Sequence, residues 1–418
     1  MKFLEELAAR RRFGMRPGLD AIRGACAALG NPQRRFPAIH VAGTNGKGAV
    51  CAILDAVLRK AGLRVGRYTS PHLVRLNERF FLDGAPIDDA TLERAADRVA
   101  RLPGSESELT FFEALTAVAF IVYAEAKVDF AVLETGLGGR LDATNVCEPK
   151  LCVITRVGLD HCDWLGDTVE KIASEKAGIV KPGVPVVLGA NVPSVRAVVE
   201  ARAKEVGAPF VYAPDIASEN EIPDDFSLAG SFNRENAVTA IAALKVLSMF
   251  PAKGFSEIVW PGRFQAVGNF IVDGAHNPPA ARALAAALRD RCKGQAGRKP
   301  ALIAGFCGDK DVAEVLSILA PLVGKGYAVR TNNPRSLSAE ETAAKMREAG
   351  IDAVACASLR EAIDASNPQT HQPTNPPTHQ PPLALICGSL FLAGEALVEL
   401  GAYPWPATRF DASELLKV

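Results

Sequence analysis

The stretch Ile39-His-Val-Ala-Gly43-Thr-Asn-Gly46-Lys47-Gly48-Ala49 decides the fold of this chain. An apolar run leads into a glycine-rich segment with one lysine, and helical spacing follows, so we expect a strand, a tight loop and a helix. Loop amides and a helix N-terminus suit phosphate oxygens. The pattern departs from G-x-x-x-x-G-K-[ST], because Val41 and Gly48 replace its first glycine and its hydroxyl. We therefore predict an ATP-binding loop whose Mg²⁺ takes oxygen ligands from elsewhere in the chain. The loop residues are Gly43, Thr44, Asn45, Gly46, Lys47 and Gly48.

Composition narrows the class of protein. A chain of 418 residues usually forms two domains. Its 47 basic and 47 acidic side chains balance, which argues against a nucleic-acid partner and against a membrane-surface partner. The nine cysteines form no C-x-x-C pair, so we expect neither a disulfide framework nor structural zinc. The longest apolar stretch, 115–124, contains no charge and is too short for a bilayer. We expect a cytoplasmic protein.

Apolar strands alternate with helical patterns along most of the chain, which predicts parallel sheets covered by helices. In the first half we predict strands at 38–41, 64–68, 130–134, 151–155 and 185–188. In the second half we predict strands at 270–273, 301–306, 326–330, 353–356 and 383–386. The predicted fold class is α/β: a P-loop domain with a doubly wound, mainly parallel sheet, followed by a smaller Rossmann-like domain. The predicted domains span 1–257 and 264–418. A tandem proline-rich repeat is predicted to form an exposed insert at 366–382.

Polar side chains collect where predicted strands end, which is where ligands bind in such sheets. Ser70 follows the second strand and Glu134 ends the third, so both are candidate oxygen ligands of Mg²⁺. His161 and Lys176 follow the fourth strand and suit a metal-assisted phosphate site. His40, between Ile39 and Val41 in the first strand, is interpreted as structural.

The second domain carries a similar pattern. Asp273 ends a predicted strand and meets a predicted helix N-terminus, which again indicates an edge that faces a ligand. Arg263, at the predicted domain junction, is a candidate contact for phosphates.

These motifs together resemble the folylpolyglutamate synthase/dihydrofolate synthase family of the Mur ligase superfamily. The similar segments run in order through nearly the whole chain. They are 30–33, 40–48, 69–75 with 77–79, 134–145, 158–161, 175–179, 260–263, 273–278, 309–311 and 388–389.

The resemblance implies an ATP-dependent amide ligase that adds L-glutamate to dihydropteroate and to reduced folates through an acyl phosphate. It implies that Lys47 stabilises the transferring phosphoryl group. It also implies two Mg²⁺ sites, with Ser70 and Glu134 at one and His161 at the other, and a Lys176 that is carbamylated and binds metal. Further implied contacts are Asn236, Arg263 and Asp273 for the nucleotide, Asp142 and Arg75 for the folate or pteroate, and His276 and Ser389 for glutamate.

Alternatives remain open from the sequence alone. Ala49 stands where the family commonly has serine, and Gln265 where an acidic residue is common. The segment 139–143 favours the bifunctional bacterial form, while a monofunctional folylpolyglutamate synthase, another Mur-type amino-acid ligase and a non-enzymatic ATP-binding module are the other readings. A monomer is expected.

Overall fold

The computed structural model describes residues 18–103, 109–249, 253–293, 299–366 and 384–406. The chain divides into two compact units. Unit 1 contains the residues up to Ser227 together with Asn233–Val259, and unit 2 contains Leu228–Phe232 and the chain from Trp260 onward. No helix among the described residues combines the length and the apolar character needed to cross a membrane.

An eight-stranded sheet forms the centre of unit 1. Its order is β4-β3-β2-β5-β1-β6-β7-β8. The strands are β1 (Ala38–Ala42), β2 (Val65–Tyr68), β3 (Phe80–Leu82), β4 (Ala85–Pro86), β5 (Phe130–Glu134), β6 (Pro149–Ile154), β7 (Val186–Leu188) and β8 (Phe210–Tyr212). From β2 to β8 every neighbouring pair is parallel, whereas β3 and β4 extend the β2 edge in antiparallel fashion.

Helices connect these strands. In chain order they are α1 (Asp20–Ala28), α2 (Lys47–Lys60), α3 (Asp89–Ala100), α4 (Phe111–Ala126), α5 (Cys162–Leu165), α6 (Val169–Ala177), α7 (Pro193–Val206), α8 (Ala213–Ile216) and α9 (Ser231–Val246). Short 3₁₀ turns lie at Pro32–Arg34, Leu76–Arg79, Ala143–Val146, Glu219–Glu221 and Phe255–Glu257.

Local sequence explains where the two most buried helices begin. Thr110 and Glu113 form a capping box at the start of α4, in which the Glu113 carboxylate accepts from the Thr110 amide at 2.8 Å. The N-cap of α2 is Gly46, whose φ of 89° is left-handed and suits glycine. All five residues of β1 are buried, so the strand before the glycine loop lies in the middle of the core.

Unit 2 contains a six-stranded sheet of order β13-β12-β11-β14-β10-β9. Its strands are β9 (Gln265–Val267), β10 (Phe270–Val272), β11 (Ala301–Ala304), β12 (Gly326–Ala328), β13 (Ala353–Ala355) and β14 (Ala384–Cys387). Only the β9–β10 pair is antiparallel among these described strands. The helices are α10 (Pro278–Arg291), α11 (Val312–Leu319), α12 (Ala339–Glu348), α13 (Leu359–Ser366) and α14 (Leu390–Glu399), and a 3₁₀ turn lies at Ala320–Leu322.

The predicted fold class is confirmed, and each of the ten predicted strands is present with its ends within two residues of the predicted ones. Sequence reasoning missed β3, β4, β8 and β9, which are two or three residues long and carry little periodicity. The domain limits of 257 and 264 stay a prediction. The predicted insert at 366–382 lies, apart from Ser366, outside the described residues.

Candidate active site

The glycine loop is held from one side by the chain that follows β6. The amides of Thr44 and Asn45 both donate to the carbonyl oxygen of Arg156, at 2.9 and 3.2 Å. The Thr44 hydroxyl donates to the carbonyl of Gly158 and accepts from its amide, at 3.0 and 3.1 Å. The expectation that the loop amides face a phosphate is therefore too broad, because two of them are used to fix the loop. The backbone amides in the first turn of α2 are then the donors that can face a phosphate.

Two glycines permit side chains to lie directly against this loop. A Cβ added to Gly43 would meet Thr155 Oγ1 at 1.9 Å, and one added to Gly46 would meet Asn236 Oδ1 at 2.2 Å. Asn236, from α9, thus lies against the loop, and its role toward a nucleotide stays a prediction. Any larger residue at either glycine would displace the loop or its neighbour.

Two lysines converge on one carbonyl oxygen. Lys47 Nζ donates to the carbonyl of Gly43 at 3.1 Å, and Lys176 Nζ donates to the same oxygen at 2.9 Å. Lys176 is 3% exposed. Burial, and secondly the charge of Lys47, lower the pKa of Lys176 from 10.5 to about 7, although Asp160 and Asp142 oppose this shift. Near neutral pH a large share of Lys176 therefore carries no charge.

Glu134 and Ser70 lie together at the ends of neighbouring strands. Glu134 pairs in register with Val41 of β1, and β5 also lies beside β2. The Glu134 side chain is 5% exposed, and its Oε2 accepts from the amide of Ser70 at 3.1 Å. Its Oε1 lies 3.9 Å from Lys47 Nζ. Lys47, Ser70, Glu134 and Lys176 thus form one contiguous polar group at the carboxyl edge of this sheet.

His161 lies in a more exposed loop. Its φ is 51°, its side chain is about half exposed, and its Nε2 is 3.9 Å from Asp160 Oδ1. In the part of the chain that the structure describes, no three His, Cys, Asp or Glu side chains form a ready metal site. A cation here would need ligands of other kinds, such as the Ser70 hydroxyl, a modified lysine or phosphate oxygens.

Asp142 organises its own loop. Its Oδ2 accepts from the amides of Gly136 and Leu137 at 2.8 and 2.9 Å. Its Oδ1 accepts from the amide and the hydroxyl of Thr144 at 3.0 and 2.5 Å. Both carboxylate oxygens are therefore engaged within 136–144, so direct contact of this carboxylate with a substrate stays a prediction.

Arg75 is held in a similar way in the segment between β2 and β3. Its guanidinium forms an ion pair with Asp89 at 2.8 Å, and Arg75 is 8% exposed. The backbone of Arg75 donates to Glu78 Oε1 at 2.6 Å. The structure therefore places Arg75 in a fixed, buried setting, and its assignment to the folate stays a prediction.

In unit 2 the predicted residues meet at the ends of β10 and β14. Asp273 is buried and accepts from the amides of Phe264 and Ala275, at 2.7 and 2.8 Å. His276 Nδ1 is 2.8 Å from the carbonyl of Gly274. Ser389 caps α14 by accepting from the amide of Leu392 at 3.0 Å. Arg263 Nη1 donates to the carbonyl of Gly262 at 3.2 Å. Their roles toward ligands stay predictions.

Sequence reasoning missed Thr155 and Arg156. Thr155 Oγ1 donates to the carbonyl of Asn45 at 2.7 Å, and Arg156 forms an isolated bridge with the same residue. The sequence does show a hydroxyl residue, Thr155, at the end of an apolar strand. That feature could not identify Thr155 as a loop contact, because the sequence does not show that β6 is the neighbour of β1.

Comparison with known proteins agrees with this geometry. Residues 41–206 match the family model of the Mur ligase middle domain, and residues 262–374 match that of the Mur ligase glutamate ligase domain. The chain is 38% identical to the dihydrofolate synthase/folylpolyglutamate synthase of Bacillus subtilis over 68% of this chain and 74% of the relative. It is 35% identical to the folylpolyglutamate synthase of Lacticaseibacillus casei over 88% and 90% of the two chains.

Solved structures with the same fold carry relevant ligands. Mycobacterium tuberculosis folylpolyglutamate synthase complexed with ADP has a TM-score of 0.83 and 30% identity, covering 97% of this chain and 99% of its own. E. coli FolC in complex with DHPP and ADP has a TM-score of 0.80 and 29% identity, covering 96% and 97%. A bifunctional folylpolyglutamate synthase/dihydrofolate synthase with Mn, AMPPNP and L-glutamate bound has a TM-score of 0.78 and 31% identity, covering 94% and 98%. By its sequence, its two matching domains and its fold, the chain belongs to the dihydrofolate synthase/folylpolyglutamate synthase family of the Mur ligases.

Proposed function

We propose that this chain is a bifunctional ligase that uses ATP to join L-glutamate to dihydropteroate and to reduced folates. The observation that carries the proposal is the group formed by Lys47, Lys176, Glu134 and Ser70 around the glycine loop. The family relationship supports it, because the similar proteins are named for these two activities. The nucleotides, Mn and L-glutamate bound in the similar structures support ATP, a divalent cation and glutamate as ligands.

The chemistry explains why these residue types are needed. A carboxylate is a poor electrophile, so the γ-phosphoryl group of ATP is first transferred to the pterin substrate's carboxylate, giving an acyl phosphate and ADP. The α-amine of glutamate then attacks the acyl carbon, and inorganic phosphate leaves. Positioning and charge neutralisation dominate phosphoryl transfer. Lys47, at the start of α2, is suited to neutralise the transferring group, and the α2 N-terminus adds positive potential.

The donor set fits a hard divalent cation. Glu134 offers a buried carboxylate whose oxygens face the Ser70 amide and Lys47, and Ser70, with its hydroxyl, follows the neighbouring strand β2. When bound, such a cation would neutralise phosphate charge and orient the nucleotide. We further propose Mg²⁺ at two sites, with His161 at the second.

We also propose that Lys176 is carbamylated. Its amine is buried, and its lowered pKa of about 7 leaves the uncharged form that can react with CO₂. A carbamate would place an anion close to the Lys47 cation. Incubation with ¹³C-bicarbonate should give a carbamate signal by NMR that is missing in Lys176→Met.

The remaining assignments complete the proposal. Asn236, Arg263 and Asp273 contact the nucleotide, Asp142 and Arg75 serve the pterin substrate, and His276 and Ser389 serve glutamate. The functional domains are 1–257 and 264–418.

The testing experiment measures ADP release with Mg²⁺–ATP and L-glutamate, with dihydropteroate or a reduced folate as acceptor, and identifies products by mass. Addition of one glutamate to both acceptors is the expected result. Addition to the reduced folate alone would reduce the function to a monofunctional folylpolyglutamate synthase. No turnover of either acceptor would favour another Mur-type ligase or a non-enzymatic module.

Lys47→Ala tests the assignment of the loop lysine. Removing the charge that faces the transferring phosphoryl group should lower kcat by roughly 10²–10³-fold or more. Lys60→Ala is the matched control, because Lys60 ends the same helix and is about half exposed. Equal activity of the two variants would contradict the assignment.

A further inference from the structure

A chain of hydrogen bonds links the strand before the glycine loop to the loop that Asp142 organises. His40, in the middle of β1, has its Nε2 at 2.8 Å from Thr144 Oγ1. Thr144 Oγ1 lies 2.5 Å from Asp142 Oδ1. His40 and Thr144 have no exposed surface, and Asp142 is 5% exposed. His40 and Thr144 have no part in the proposed reaction.

The direction of this chain follows from counting protons. Burial raises the pKa of Asp142, but the three backbone amides that donate to its carboxylate oppose this shift and favour the ionised form. The hydroxyl of Thr144 has one proton, which it donates to Asp142. Its oxygen then accepts from His40, so His40 carries its proton on Nε2.

The state of His40 agrees with this direction. Burial, and secondly the charge of Lys181, lower the pKa of His40 to about 3. The imidazole is therefore neutral at any ordinary pH, and one nitrogen carries a proton. Nδ1 has no hydrogen-bond partner among the described residues, and an unpaired buried acceptor at Nδ1 is consistent with a proton on Nε2.

These hydrogen bonds join two parts of unit 1 that serve different substrates in the proposed function. β1 leads directly into the glycine loop, which begins three residues after His40 at Gly43. The loop 136–144 follows β5, which ends at Glu134, and is closed by Asp142. A shift of the loop relative to β1 would move one substrate relative to the other, and errors of about 1 Å can cost 10²-fold in rate.

We propose that His40 and Thr144 are positioning residues, which hold the Asp142 loop in register with the phosphate-binding strand so that the pterin substrate's carboxylate meets the phosphoryl donor. This inference rests on the proposed function. It assigns a task to His40 beyond that of a core residue.

Thr144→Val is the informative variant, because it keeps the β-branched shape and removes the hydroxyl. We expect its KM for the pterin acceptor to rise about tenfold, with the KM for ATP within about twofold of the wild type. Thr144→Ser keeps the hydroxyl and should restore the acceptor KM. His40→Gln, whose amide can donate from near the position of Nε2, should retain more activity than His40→Leu.

Three outcomes would overturn the proposal: an unchanged acceptor KM in Thr144→Val, an equal rise in the KM for ATP, or the same loss in Thr144→Ser. Hydrogen exchange tests the chain independently of turnover, because the amides of Gly136 and Leu137 should exchange faster in Thr144→Val than in Thr144→Ser. Equal exchange rates in the two variants would show that this series of hydrogen bonds does not hold the loop. A wild type that turns over neither pterin acceptor would instead refute the proposed function. The exchange experiment would still test whether the hydrogen bonds from His40 to Asp142 hold the loop.

Discussion

At the residue scale, the most unusual group is the buried amine of Lys176. It shares the Gly43 carbonyl with Lys47, and it has a lowered pKa because burial and a neighbouring cation both disfavour its charge. A lysine with a lowered pKa makes folding dependent on pH. Between about pH 7 and 10.5 the unfolded chain binds this proton and the folded chain releases it, so stability rises with pH in that window. The contribution is complete above 10.5 and is lost as the pH falls through 7.

We therefore predict that Lys176→Met becomes more stable relative to the wild type as the pH is lowered from about 9 to 7. The expected change in the difference of unfolding free energies is roughly 2–3 kcal/mol. The measurement is urea denaturation in CO₂-free buffer, because a carbamate would remove the titrating amine. Lys171→Met on the same helix is the control, since Lys171 is 63% exposed. A difference that does not vary with pH would contradict the lowered pKa.

At the scale of the elements, the glycine loop and α2 combine backbone conformation with close packing. Gly46 and Gly62 stand before and after α2, with φ of 89° and 87°. A Cβ at Gly46 would meet Asn236 Oδ1 at 2.2 Å, whereas a Cβ at Gly62 would meet no atom within 4 Å. A substitution at Gly62 therefore measures the cost of the left-handed backbone alone, and one at Gly46 adds the cost of a steric clash.

We predict that Gly62→Ala costs about 1 kcal/mol of unfolding free energy, from strain alone. Gly46→Ala should cost clearly more and should also weaken ADP binding, because the loop must move to admit the methyl group. Chemical denaturation and ADP titration would measure both effects. Equal costs at the two positions would show that Asn236 does not restrict the loop.

A buried ion pair joins α2 to β2. Asp55 lies 3.3 Å from Arg67 and 3.1 Å from Arg59, and the side chains of Asp55 and Arg67 are each 2% exposed. Removing one partner leaves a buried charge without compensation, so Asp55→Asn should lower the unfolding free energy by about 3–5 kcal/mol.

The matched control for this pair is the exposed pair between Arg98 and Glu125, in which both side chains are nearly half exposed. Glu125→Gln should cost less than about 1 kcal/mol, because water already solvates both charges. Denaturation of both variants decides the comparison, and a loss below about 1 kcal/mol in Asp55→Asn would mean that water reaches the pair.

At the scale of the whole molecule, binding of the proposed nucleotide should have a measurable effect on stability. ADP with Mg²⁺ should stabilise the folded protein by about 2.7 kcal/mol at one hundred times its dissociation constant. Hydrogen exchange should show the largest protection around the glycine loop and the first turn of α2. Lys47→Ala should reduce the shift, and Lys60→Ala should not. A wild type without any shift would contradict nucleotide binding at this loop.

The sequence alone was sufficient for the parts of the molecule with strong local patterns. The strand–loop–helix around Lys47, the apolar strand that ends at Glu134 and the alternation of strands with helices all follow from periodicity and from glycine placement. The family also followed from the order of its motifs. The short strands β3, β4, β8 and β9 could not be predicted, because pairing with a neighbour, not local periodicity, creates them.

Only the tertiary structure decided which atoms meet. Nothing in the sequence states that Arg156 takes the amides of Thr44 and Asn45, since the residues are more than a hundred positions apart and become neighbours through the pairing of β1 with β6. The contact of Lys176 with the Gly43 carbonyl likewise depends on packing that the sequence does not show. The low pKa of Lys176 depends on its burial, which is also a property of the folded chain. The same holds for Asp142, whose four hydrogen bonds become visible only when its loop is closed. Residue types and spacing determined the chemistry that this chain carries, and three-dimensional packing decided how each group is charged, held and directed.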